Sequence, residues 1–168
     1  MHTGTRTFLP IAAAVTLSLY ATTTAVNAAP QSKSEADRPW LIRLINANEA
    51  TVHEILGKPD AEDPTSFTKK GFSKIYASVR DDGKTGLVLL DFEKDPGSWQ
   101  MALKLCGVKS TTGLKGNKRT WKQQTLYDIT GFKGLPKEWQ ITYSIPYKYE
   151  GSSTLEPARL MLQRDSPE

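Results

Sequence analysis

The sequence predicts an α+β domain: two short N-terminal helices, then an antiparallel sheet built on a meander of three strands plus two or three further strands. Three observations carry this expectation. Apolar residues recur at helical spacing over Trp40–Leu56. From Phe72 the pattern changes from helical to alternating. Strong turn signals, Asp82-Gly83 and Asp95-Pro96-Gly97, then punctuate the alternating runs.

The elements follow in order. Residues 1–28 have the layout of a secretory signal peptide: Arg6, an apolar stretch from Phe8 to Tyr20, and the small residues Val26-Asn27-Ala28 at a cleavage site. The apolar run is too short to span a bilayer, so no transmembrane segment is expected in the mature protein. The only cysteine is Cys106, so no lipid anchor is expected. Residues 29–38 are small and polar and read as a flexible leader. A single domain is expected over 39–165. Its first helix carries Trp40, Leu41, Leu44 and Ile45 as one stripe, and its second starts at the N-cap Asn48 and buries Val52, Ile55 and Leu56. Gly57 suits a left-handed helix end, and Pro59 forbids continuation.

Strands are expected at Phe72–Val79 and Gly86–Phe92, joined at Asp82-Gly83. A long third strand is expected over Trp99–Cys106, where Trp99, Met101, Leu103 and Leu105 alternate with Gln100, Ala102 and Lys104. Residues 109–120 are Gly-rich, polar and basic and read as a loop. Weak alternation over Trp121–Ile129, clear alternation over Glu138–Ile145 and a last run at Ala158–Gln163 complete the sheet. One face is expected to be covered.

The phrase Val52, Leu56, Gly57 and Pro59, closing a helix that leads into the strands of Tyr76 and Phe92, resembles the BamE/SmpA-like family of small envelope proteins. More loosely, it is similar to the β-lactamase-inhibitor-protein type of repeat. The likeness covers about residues 40–108. It implies a helix followed by three antiparallel strands, and a style of work in which envelope proteins are bound through a sheet face or loops. The family's lipidated cysteine is missing, and Ala47-Asn48-Glu49 stands where the family has a Gly-Met-Thr-like phrase.

Composition narrows the chemistry. The formal charge of +4 falls to +3 once Arg6 leaves with the signal peptide, less positive charge than a nucleic-acid binder usually concentrates, so no nucleic-acid partner is expected. His53 is the only histidine outside the signal peptide, so with the single cysteine a Cys/His zinc site has too few ligands, and no Ser or Cys stands in a recognisable setting to pair with it as a nucleophile. No nucleotide, dinucleotide or zinc-protease fingerprint is present. No metal and no cofactor are expected, and no catalytic residue is assigned. Cys106 reads as a buried, inert thiol.

The remaining acid/base candidates are two carboxylate groups, Asp60, Glu62 and Asp63, and Asp91, Glu93 and Asp95. They would support a small secreted hydrolase only if they converged in a cleft. Otherwise they decorate a loop and a hairpin end. The binding candidates are Lys115, Lys118, Arg119 and Lys122 around Trp121, where clustered cations and a flat ring suit an anionic partner. The competing expectation is a solvated loop whose Trp121 tucks into the core. Trp139, Tyr143, Tyr147 and Tyr149 offer a further aromatic surface, although strand aromatics are more often core. The function expected is that of a secreted or periplasmic non-enzymatic binding protein that recognises another envelope or secreted protein. The alternative is the carboxylate hydrolase.

Overall fold

A computed structural model describes residues 38–165. The expected signal peptide, and all but the last residue of the expected leader, lie outside the described residues. Two short helices come first, α1 (Trp40–Arg43) and α2 (Glu49–Leu56). Asn48 caps α2 by accepting a hydrogen bond from the Thr51 amide at 2.9 Å, which satisfies one of the amides a helix start leaves unpaired. Gly57 ends α2 at φ +93°, a value that only glycine adopts without strain.

Seven strands follow: β1 (Ser66–Phe67), β2 (Phe72–Val79), β3 (Thr85–Phe92), β4 (Lys115–Trp121), β5 (Gln124–Thr130), β6 (Trp139–Ser144) and β7 (Arg159–Arg164). A third helix, α3 (Trp99–Leu105), lies between β3 and β4. The sheet is antiparallel throughout, in the order β1-β2-β3-β7-β6-β5-β4. The last strand therefore sits in the middle and joins an N-terminal half to a C-terminal half. No described helix is long and apolar enough to cross a membrane.

Two expectations are corrected. Trp99–Cys106 is not the third strand of a meander but helix α3 capped by Ser98, whose Oγ accepts from the Met101 amide at 3.3 Å. The segment fits both periods. As a strand it would bury Trp99, Met101, Leu103 and Leu105. As a helix it buries Ala102, Leu103 and Cys106 on one face with Trp99, and leaves Met101 and Leu105 to solvent. The Asp95-Pro96-Gly97-Ser98 lead-in is a turn followed by an N-cap, which decides for the helix.

The second correction concerns the polar segment 109–120 read as a loop, whose second half is strand β4. Its seven residues pair in unbroken register with β5, from Lys115↔Thr130 to Trp121↔Gln124. Backbone pairing needs no apolar side chains, so alternation gave no signal. Gly116 contributes by being small: a Cβ there would lie 2.4 Å from Nε1 of Trp99, so the strand passes directly over that ring.

The helices cover one face of the sheet. Leu41, Leu44, Val52, Ile55 and Leu56 from the N-terminal helices, and Ala102, Leu103 and Cys106 around α3, form one buried cluster with the inward residues of β2, β3, β5, β6 and β7. Two polar contacts lock the α1–α2 connection to the sheet. The Thr85 amide donates to the Ala47 carbonyl at 2.8 Å, and Trp139 Nε1 donates to Asn46 Oδ1 at 3.1 Å. A bulge in β2 pairs Phe72 with Phe92 and Lys74 with Asp91. The extra residue brings Phe72 into the core beside Ile75 and Ala77, where simple alternation would have sent it outward.

Candidate functional site

The uncovered face of the sheet is where the remaining chemistry collects. Strand pleating sends every second side chain there, and the register aligns them in rows. One row runs Arg119, Leu126, Ser144, Arg159, Asp91 and Lys74 across β4, β5, β6, β7, β3 and β2. The next runs Asn117, Asp128, Thr142, Met161, Leu89 and Tyr76.

Ion pairs tie these rows together. Arg159 grips Asp91 with two hydrogen bonds, Nε to Oδ1 at 2.5 Å and Nη2 to Oδ2 at 3.0 Å. Arg119 Nε donates to Asp128 Oδ2 at 2.6 Å, and the other oxygen of Asp128 accepts from Thr142 Oγ1 at 2.9 Å. A cavity of about 360 Å³ opens above β4–β5–β6–β7, lined among others by Arg119, Trp121, Ser144 and Arg159. Tyr147 and Tyr149, on the chain leaving β6, line it too. Their rings meet edge to face at 4.7 Å, and the Tyr147 hydroxyl donates to that of Tyr149 at 2.7 Å. Burial, helped by that hydroxyl, pushes the Tyr147 phenol up to about 12.

The five predicted binding residues fall into three groups. Arg119 and Trp121 line the cavity. Lys122 occupies the β4–β5 turn with a left-handed φ of +53°, and its Nζ lies over the Trp121 ring at 4.8 Å from the centroid. Lys115 and Lys118 are exposed, but the pleat sends them to opposite faces, and neither lines the cavity. Trp121 does not tuck into the core: it is 51% exposed. The aromatic group also divides, with Trp139 and Tyr143 in the core and Tyr147 and Tyr149 on the open face. Tyr143 is fully buried, and its hydroxyl donates to Asp95 Oδ1 at 3.2 Å.

The carboxylates are held apart in different roles. Asp60, Glu62 and Asp63 line a shallow cavity beside β1, whereas Asp91 is bound to Arg159 on the sheet and Asp95 accepts from the Gly97 amide and Tyr143. Asp63 accepts from both Ser66 Oγ and Thr65 Oγ1, and these bonds lower its carboxyl to about 2. Asp82, held by Arg164, is likewise lowered. Both displacements run opposite to what a general acid requires. No group of three or more metal-ligating side chains is assembled among the described residues. His53 sits on α2 with Nε2 4.0 Å from Glu49. Cys106 is buried at the end of α3, and burial pushes its thiol up.

Thr142, Ser144, Arg159 and Met161 went unrecognised as site residues in the sequence. The signal was present in β6, where Gln140, Thr142 and Ser144 alternate with Trp139, Ile141 and Tyr143, but a polar alternate is ordinarily just the wet side of a strand. No family model, curated protein or solved structure gives a significant match to this chain.

Proposed function

We propose that the protein is a secreted or periplasmic, non-enzymatic binding protein that recognises another envelope or secreted protein along strand β4. The observation that carries this reading is Trp121: a large ring, half exposed, at the end of an edge strand bearing Lys115, Lys118 and Arg119. β4 pairs with β5 alone, so its outer edge presents backbone amides and carbonyls to an incoming extended segment. The other edge, β1, is two residues long and is bridged by Pro59. Cationic side chains on such an edge discourage self-pairing and favour an acidic segment. The separation of the two carboxylate groups, with Asp63 lowered by its hydroxyl partners and Asp91 bound to Arg159, supports binding over hydrolysis.

The test is affinity capture from the protein's own envelope fraction, with the wild type beside a Lys115→Glu/Lys118→Glu/Lys122→Glu variant of unchanged circular dichroism. A partner held by the wild type, released by salt and lost from the triple variant is the expected result. Equal retention by both, or turnover of a glycan or peptide library with no partner retained, overturns the reading.

A further inference from the structure

A second feature of the open face does not depend on the partner reading. Ser144 lines the cavity above β4–β7, yet it is only 5% exposed, and its Oγ has no hydrogen-bond partner among the described residues. A buried hydroxyl without a partner is destabilising, and native folds keep few of them unless something else supplies the bond. Its surroundings indicate what that is. In its row Ser144 stands next to Arg159 on one side and Leu126 on the other, with Arg119 beyond Leu126, and each arginine is oriented by a carboxylate on its Nε. Arg119 keeps both terminal nitrogens, and Arg159 its Nη1, without hydrogen bonds among the described residues. Asp128 and Asp91, which hold the guanidiniums, are not among the lining residues, so the charged side chains that line the cavity, among the described residues, are the two arginines. The walls are flat or apolar: Trp121, Tyr147, Tyr149, Leu126 and Met161. Leu126 is buried although it lies outside the helix-side core, covered instead by these neighbours.

We infer that this cavity is a binding site for a small organic anion, a carboxylate carried on a flat apolar body. The carboxylate accepts from Ser144 and the two arginines, and the body lies among Trp121 and the two tyrosines. The volume suits one ring system and is in the range of small-molecule pockets. Anchoring each guanidinium in advance lowers the entropy lost on binding. The site shares Arg119 and Trp121 with the β4 partner surface, but none of Lys115, Lys118 and Lys122 lines the cavity, so the lysine reversals that test the partner surface and the titration that tests this site can fail separately.

The experiment is a ¹⁵N chemical-shift titration of the purified protein with 2-naphthoate, 2-naphthamide and inorganic phosphate. Saturable shifts centred on Leu126, Thr142, Ser144 and Met161 are expected with naphthoate, and about tenfold weaker binding with the neutral amide. Ser144→Ala is expected to weaken naphthoate about fivefold without lowering the melting temperature, because it deletes an unpaired hydroxyl rather than a structural bond. Arg119→Gln, which keeps a donor toward Asp128, is expected to weaken it about tenfold. The inference is overturned by any of three results: no saturable shift with naphthoate, equal binding of the amide or of phosphate alone, or a melting temperature lowered by Ser144→Ala.

Discussion

On the helix side of β6, Trp139, Ile141 and Tyr143 are buried in the cluster that the helices form with the inward residues of the sheet. On the other side of the same strand, Thr142 and Ser144 are equally buried, but beneath arginines, tyrosines and a methionine. Equal burial thus arises from two unlike causes. The first face excludes water with apolar side chains and with two aromatics, Trp139 and Tyr143, whose polar atoms already have internal partners. The second does so with charged and amphipathic side chains whose stems cover apolar area while their heads stay hydrated or paired. A face of the first kind is built for stability, and one of the second kind retains groups able to exchange an internal partner for an external one.

The largest effect that tests this contrast lies on the covered face. Leu160 is fully buried on the central strand β7, where the two halves of the sheet join. Leu160→Ala is expected to cost about 2–5 kcal/mol in urea unfolding, the transfer term plus a cavity that packed neighbours cannot close. A much smaller loss would show that the helix layer can collapse onto the sheet, and that the two faces differ less than their residues suggest.

On the open face, Arg159→Gln removes the two-pronged grip on Asp91. Both side chains are partly exposed, so water screens the pair, and a loss of about 1–2 kcal/mol is expected by the same measurement. A loss as large as that of Leu160→Ala would make the pair a core element and the open face a second core.

The loop leading into β1 carries an acid-sensitive group. Asp63 is lowered from the usual 3.8 to about 2 by Ser66 and Thr65, with Lys74 nearby at 3.9 Å. A carboxyl depressed in the folded state stabilises the fold above its unfolded pKa, and that stabilisation is lost as pH falls through its folded pKa. The contribution of Asp63 is therefore expected to be complete above about pH 4 and to fade toward pH 2. Carbon NMR titration of its carboxyl should show a midpoint near 2, and Asp63→Asn should flatten the acid limb of the stability curve. A midpoint in the ordinary range would mean the two hydroxyls do not hold the carboxylate in solution.

The covered face was largely legible in the sequence, because apolar periodicity reports on what an element buries. Val52, Ile55 and Leu56, or Trp139, Ile141 and Tyr143, could be placed inward by spacing alone. The same rule failed where seven residues satisfied two periods, at Trp99–Leu105, and where pairing is made by backbone alone, at Lys115–Trp121. The site was half legible. Arg119, Trp121 and Lys122 stood out as cations beside an aromatic ring. Ser144 and Arg159 did not, because they meet only through a register linking β6 to a strand that arrives last and inserts centrally. No local pattern encodes that neighbour.

The smallest expected effect is at Trp121. In most domains a tryptophan is a large store of buried area, and its loss is severe. Here the ring is half exposed and rests chiefly against the Lys122 ammonium and the cavity wall. Trp121→Ala is therefore expected to change stability by no more than about 0.5–1 kcal/mol, the scale of an exposed cation–π contact. The same substitution should abolish the naphthoate-induced shifts. A residue that matters little to folding and greatly to binding is what distinguishes a recognition face from a core. If Trp121→Ala instead destabilised the fold as strongly as Leu160→Ala, the ring would have to lie closed over the cavity in solution. Ser144 would then be sealed beneath it, and the contrast between the two faces would be one of composition alone.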